Sequence, residues 1–499
     1  MKSRFKALWI SVCAFAALLL AMGCNDTLRQ FITPVPPPTG DPGALSHAIT
    51  LSTNPAASGN GSNLHIDVSG DSAVGVVNVG INPVFLGKST NRIWSINAGD
   101  GSNPPTLSVY TALLPQAATV TTVTLPSAPD PNAAVNPVAG GTSSTGNIYI
   151  ANHGSNNVSV ISGGVLAVTA TVPLPAGDNG PVSIAGNAAN NQIFVVNQGS
   201  GTVSQISTID NTVVLPSITV GSNPIWGVMS SDGLFVFVVN QGSGTVSVID
   251  TSLRTVIATI PVGTTSNSQP NFAFYEPRLK RVYVSNTNDA TISVIKADNI
   301  SSTNLPAKLR DIHVTGGNPT SVTALSDGTK AYAALGNCPT SPTPVNHLTI
   351  IGKLPSCTGN LVSVLDAVGL SEVGSLTVGP GAVSIASSLD ASKVYVISAN
   401  DVTTIRDDVH LPNCTDTACL PGAVQPDRTF STPSISVIRT STNTVLATPV
   451  NAGIVNRPLP TFHVPQQAST CIPAIDPNFN DEVPQPCALQ TPFVVLTFP

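Results

Sequence analysis

A cassette of four short β-rich runs recurs along the chain, and its spacing constrains the fold more than any single motif. The clearest copy runs from Gly221 to Gly263. A Gly221-Ser222-Asn223-Pro224 turn leads an apolar run, followed by Phe235-Val236-Phe237-Val238-Val239-Asn240, then Thr245-Val246-Ser247-Val248-Ile249-Asp250, then Thr255-Val256-Ile257-Ala258-Thr259-Ile260-Pro261-Val262. Val, Ile, Thr and aromatic residues dominate the runs, while Gly, Asn and Pro punctuate them, as strands and tight turns require. The turn positions recur at Pro83, Pro137, Pro181, Pro224, Pro270, Pro319 and Pro380, separated by 54, 44, 43, 46, 49 and 61 residues. Four strands per period of this length specify radial repetition of small sheets rather than a solenoid.

Sequence analysis therefore predicts an all-β, seven-bladed β-propeller of four-stranded antiparallel blades. The runs Asn147 to Asn152, Ile193 to Asn197, Arg281 to Asn286 and Lys393 to Val396, each followed by a Val-Ser-Val-Ile-like strand, resemble the YVTN family of β-propeller repeats found in bacterial and archaeal surface proteins. That resemblance covers roughly residues 72 to 450 and implies a fold rather than an activity, because propellers host enzymes, binders and scaffolds alike. Ser72 to Gly80 reads as an isolated fourth strand ahead of the first turn. Thr444 to Val450 reads as a fourth strand of the last repeat, and Pro492 to Phe498 as a strand able to pair an open edge.

The ends of the chain carry different signals. Lys2, Arg4 and Lys6 precede an apolar stretch from Ala7 to Ala21 and then Gly23-Cys24, the layout of an export signal. It resembles a bacterial lipoprotein signal, which implies acylation of Cys24, with Asn25 behind it implying the outer membrane. The expected organisation is a signal over 1–23, a Pro-rich tether over 24–45, the propeller over 46–460 and a disulfide-stapled tail over 461–499 packed upon it. Location is expected to be the cell envelope, periplasmic or surface-exposed.

Composition excludes several classes. Charged residues make up 9% of the chain, with 20 Lys plus Arg against 26 Asp plus Glu, so no basic field exists to hold nucleic acid. With residues 1–23 removed, 17 cations face 26 acids. The remaining cysteines, Cys338, Cys357, Cys414, Cys419, Cys471 and Cys487, are even in number, and exported chains oxidise such sets to disulfides. Proximity favours 338 with 357, 414 with 419 and 471 with 487. No CxxC spacing or clustered His marks a haem or zinc site, and no repeated Trp motif marks a quinone cofactor, so no cofactor or metal is expected.

In compact copies the second and third strands are joined by Asn-Gln-Gly-Ser-Gly, as at Asn197 and Asn240. The sixth repeat extends this connection from Asn337 to Gly359 and the seventh from Asn400 to about Thr432. Equivalent connections leave the same side of every blade, so two long loops are expected side by side, where binding residues gather on rigid scaffolds. The Asn ending each second strand, seven times from Asn97 to Asn400, is expected to be structural, its side chain forming the turn that follows, and the Asn residues before the turn prolines are expected to be structural too.

Candidate binding residues are those that break the repeat. His153 follows a strand-ending Asn, Trp226 sits on the strand that should line the channel, and Glu276 and Arg278 interrupt the fifth repeat. No catalytic residue is assigned, because Gly-x-Ser-x-Gly is absent and the seven His are scattered. The expected role is a lipid-anchored, monomeric, non-catalytic binder or scaffold. Its partners would be the membrane, through the anchor, and a protein or glycan. The alternative is a lactonase-like hydrolase with acid and base at the channel mouth.

Overall fold

The computed structural model describes residues 47–53, 60–68, 72–89, 91–100, 102–111, 119–126, 137–187, 190–338, 357–398, 402–405, 428–431, 434–446, 461–463 and 491–498. Leu45–Pro499 forms one unit by itself. Cys24, Cys414, Cys419, Cys471, Cys487 and Asn400 lie outside the described residues.

The chain forms eight radial sheets, not the expected seven: seven of four strands, and one of five in which Thr461–His463 shares an edge with Thr444–Val445. Blades 1 to 7 are the predicted repeats, opening with the inner strands Pro83–Lys88, Pro137–Thr142, Pro181–Ala185, Pro224–Met229, Pro270–Glu276, Ser321–Ala324 and Ala382–Ser387. Blade 8 is assembled from both ends of the chain. His47–Thr53, Asn60–Asp67 and Ser72–Ile81 supply three strands, and Thr491–Phe498 pairs antiparallel with His47–Thr53 to become the innermost strand. It stands between the inner strands of blades 7 and 1, so the ring closes.

The eighth blade escapes the repeat for physical reasons. In blades 1 to 7 the second strand carries one completely buried aromatic: Trp94, Tyr149, Phe194, Phe237, Tyr283, Tyr332 or Tyr395. Each wedges between neighbouring sheets, and burying such a ring stabilises by roughly 2–3 kcal/mol. The largest wedge needs missing side chains around it, since a Cβ on Gly87 would lie 2.0 Å from the Trp94 ring and one on Gly140 2.7 Å. The equivalent strand of blade 8, His47–Thr53, has no Trp, Tyr or Phe and ends in Ser52-Thr53 rather than in Asn. Its neighbour buries Ser62, Asn63 and His65 beside Leu64 and Ile66, which hides the apolar pattern of a strand.

Candidate binding face and channel

In each blade the inner strand runs from one face of the ring, here termed upper, to the other, termed lower. Connections from fourth to first strands and from second to third strands therefore lie on the upper face. Those from first to second and third to fourth lie below.

On the upper face the residue preceding the inner strand adopts left-handed backbone: Asn82 (φ 51°), Gly180 (64°), Asn223 (47°), Gln269 (46°) and Gly381 (77°). Asn and Gly tolerate that region, which explains the Gly-x-Asn-Pro signature. Carbonyls of Asn82, Gly180 and Asn223 then accept the N–H of Ala98, Gln198 and Gln241 at 2.8, 2.8 and 2.9 Å, tying the two upper turns of a blade together.

The strand-ending Asn side chains are not turn-formers. Asn97, Asn152, Asn197, Asn240 and Asn286 are fully buried, and each Nδ2 donates twice into the third strand of its own blade. Asn240 reaches Thr245 at 3.1 Å and Ser247 at 2.9 Å, and Asn286 reaches Thr291 at 3.0 Å and Ser293 at 2.8 Å. The Thr-x-Ser spacing of the third strand, already visible in the sequence, is the acceptor half of this device. Asn337 departs from it: its strand ends at Leu335, and Asn337 has left-handed backbone (φ 45°).

Among the described residues, carboxylates on this face are engaged by neighbouring hydroxyl and N–H groups. Asp178 accepts from the hydroxyls of Thr202 (2.7 Å), Ser204 (2.6 Å) and Ser217. Asp289 accepts the Thr264 N–H at 2.6 Å and the Thr265 hydroxyl at 2.6 Å. Partial burial pushes its carboxyl pKa up, and the Thr265 and Thr264 hydrogen bonds outweigh it, leaving the group below the usual carboxylate range. The inner strands are likewise knitted laterally. Ser183 Oγ accepts the Gly227 N–H at 3.3 Å, Trp226 Nε1 donates to the Ala273 carbonyl at 3.1 Å, Asn271 Nδ2 to Thr320 at 3.0 Å, and Thr320 Oγ1 to Ala382 at 2.9 Å. The remaining half-buried inner-strand side chains include Phe85, Val228, Phe272, Phe274 and Ala386, which bring no acid or base. Among the described residues no three His, Cys, Asp or Glu side chains converge in a metal-binding arrangement.

The four repeat-breaking residues are not brought together. His153 is half-buried in an upper turn with Nδ1 3.3 Å from the Pro181 carbonyl of the next blade. Thr287 holds the matching place in blade 5 and donates to the Pro319 carbonyl at 3.0 Å, so the bridge is common to both blades and only the residue type differs. Trp226 packs its ring against Phe272, centroids 5.0 Å apart. Glu276 is completely buried at the lower end, where its carboxylate accepts the N–H of Arg278 and of Leu279, both at 2.7 Å. Arg278 is exposed on that lower turn.

One disulfide is present among the described residues, Cys338 to Cys357, as proximity predicts. It closes the upper insertion of blade 6, and Cys357 is completely buried in a cluster with Val383 and Ile397 of blade 7. Blade 7 carries the other insertion, which opens with the hairpin Val402–Ile405 and Arg428–Ser431.

No protein-family profile matches the chain, and no curated protein matches it. Among solved structures, dihydro-heme d1 dehydrogenase NirN in complex with DHE superposes with a TM-score of 0.55 at 12% identity, covering 81% of this chain and 73% of that one. The periplasmic gluconolactonase PpgL of Pseudomonas aeruginosa gives 0.48 at 14% identity, covering 67% and 97%. A putative 6-phosphogluconolactonase from Bacteroides fragilis gives 0.48 at 16%, covering 67% and 96%. At such identities the first of these likenesses speaks to fold alone, and it agrees with the observed architecture: the chain is an all-β propeller of four-stranded antiparallel blades.

Proposed function

We propose that this propeller is a non-catalytic binding protein that presents its upper face, with the insertions of blades 6 and 7, to a protein or glycan of the cell envelope. One observation carries the reading: the described carboxylates of that face are committed to turns and neighbouring strands, while the largest departures from repeat symmetry there are the insertions of blades 6 and 7, one of them covalently closed. Preorganised loops on a rigid support lower the ordering cost of binding. A lactonase-like hydrolase needs an acid and a base held at one channel mouth; the charged side chains on the described inner strands are Lys88 and Glu276, and the Glu276 carboxylate is completely buried against two backbone N–H groups.

The test replaces residues 337–359 by the five-residue Asn-Gln-Gly-Ser-Gly turn of blades 3 and 4 and measures capture of envelope proteins and glycans by cross-linking. Lost capture with unchanged melting supports the reading. Retained capture, or hydrolysis of a lactone panel by the parent protein at rates far above background, overturns it.

A further inference from the structure

The two faces differ in apolar character. The lower turns joining third to fourth strands expose one aliphatic side chain in four blades: Val165 (74%), Ile209 (78%), Leu253 (66%) and Val368 (68%). Leu234 and Leu389 project from lower turns between first and second strands. Among the described residues every other exposed large aliphatic also lies in a lower connection or among the first three residues of an outer strand, and none is on the upper face. Isolated exposed aliphatics need no explanation, but confinement to one end of a ring does.

Three further facts bear on what covers that end. The first described strand begins at His47, which pairs with Phe498 at the lower end of the closing strand, so the chain enters the propeller on this face. Cys24, the cysteine of the lipoprotein-like signal, is 23 positions upstream. A Pro-rich segment spans at most about 3.1 Å per residue, so such an anchor would stay within several tens of ångströms of this face. Finally, Asp210, Asp232, Asp250, Asp327, Asp366 and Asp390 accept N–H groups of their own lower turns, and Arg278 and Lys280 are exposed there beside them.

We propose that the lower face lies on the bilayer surface, its aliphatic turn tips entering the headgroup region, so that the upper face points away from the membrane. Tips of this kind reach on the order of 5–10 Å into an interface. The proposal rests on acylation of Cys24 and is independent of the identity of any upper-face partner.

The experiment uses the full chain, purified from membranes and reconstituted into phosphatidylethanolamine–phosphatidylglycerol vesicles. An environment-sensitive dye is placed at Leu253→Cys below, or at Ser266→Cys on the exposed upper turn of the neighbouring connection. The expected result is a blue shift at 253, quenched several-fold more by brominated acyl chains than at 266. Protein that remains on vesicles with no shift at 253, or with equal quenching at both sites, overturns the orientation alone. A shift at 253 that brominated lipid does not quench assigns the face to a second copy of the chain and also overturns it. Protein that does not stay with vesicles removes the anchor and the orientation together, leaving the upper-face reading standing.

Discussion

Asn286 shows how one residue type is repeated for a single physical reason. Its amide sits between Thr291 and Ser293, fully buried, and Ser293 passes the chain of hydrogen bonds on to Asp311. Asn286→Ala would remove two buried hydrogen bonds and leave the Thr291 and Ser293 hydroxyls without that donor, and such a loss costs about 1–3 kcal/mol. We expect chemical denaturation to report a stability lower by that amount, with the surface and its binding unchanged. Regularity identified these Asn residues as structural in the sequence, yet the mechanism differed from a turn, because the acceptors sit across a strand pair and the pairing register is a property of the folded sheet. Glu276 marks the opposite limit. A lone glutamate in a repeat of Ser and Thr stands out as a candidate for binding, and only three-dimensional placement shows its carboxylate buried against two backbone N–H groups.

Turns and strand ends carry a second layer of organisation. The first residue of the second strand is a cation in blades 1, 5, 6 and 7, and it reaches a lower-turn carbonyl of the next blade: Arg92 to Gly163, Arg281 to Ala367, Lys330 to Thr440 and Lys393 to Val68. The shared position is readable in the sequence; the partner is not, since it lies one blade away at separations of 71 to 325 residues. The lower turns also store pH dependence. Backbone N–H groups of Gly369 and Val368 hold the Asp366 carboxyl below its ordinary range. At Asp250 burial opposes, and hydrogen bonds from Ser252 and Leu253 prevail. A carboxyl depressed in the folded state contributes stability above its unfolded pKa, near 4, and that contribution disappears as pH falls through the lower folded value. Melting temperature measured from pH 5 to pH 2 should therefore fall less steeply for Asp250→Asn/Asp366→Asn than for the parent.

At the scale of the molecule the number of blades follows from closure rather than from the repeat. Seven cassettes were legible because each carries its aromatic wedge and its Asn, Gly and Pro punctuation. The eighth was not, because three of its strands precede the first cassette and the fourth follows the last, so no continuous segment contains it. Ser72 to Gly80 and Pro492 to Phe498 were recognisable as strands seeking partners, while His47–Thr53 and Asn60–Asp67, which join them into one sheet, lacked the composition that marks the others. A buried polar set, in which Asn63 Nδ2 donates to Ser95 (2.9 Å) and Tyr110 (2.8 Å) and His65 Nε2 lies 2.8 Å from the Tyr110 hydroxyl, fastens blade 8 to blade 1. Deleting residues 491–499 should leave the edge of His47–Thr53 unpaired and the ring open. Hydrogen exchange should then rise first in blades 7, 8 and 1, with a lowered and broadened melting transition, whereas blades 3 to 5 should keep their protection.

Because the closing strand follows every other described strand in the chain, a fragment that stops short of it lacks a finished wheel. Synthesis must pass residues 491–498 before His47–Thr53 acquires its permanent neighbour, so a product that stops short of them leaves that edge open to pairing with another chain.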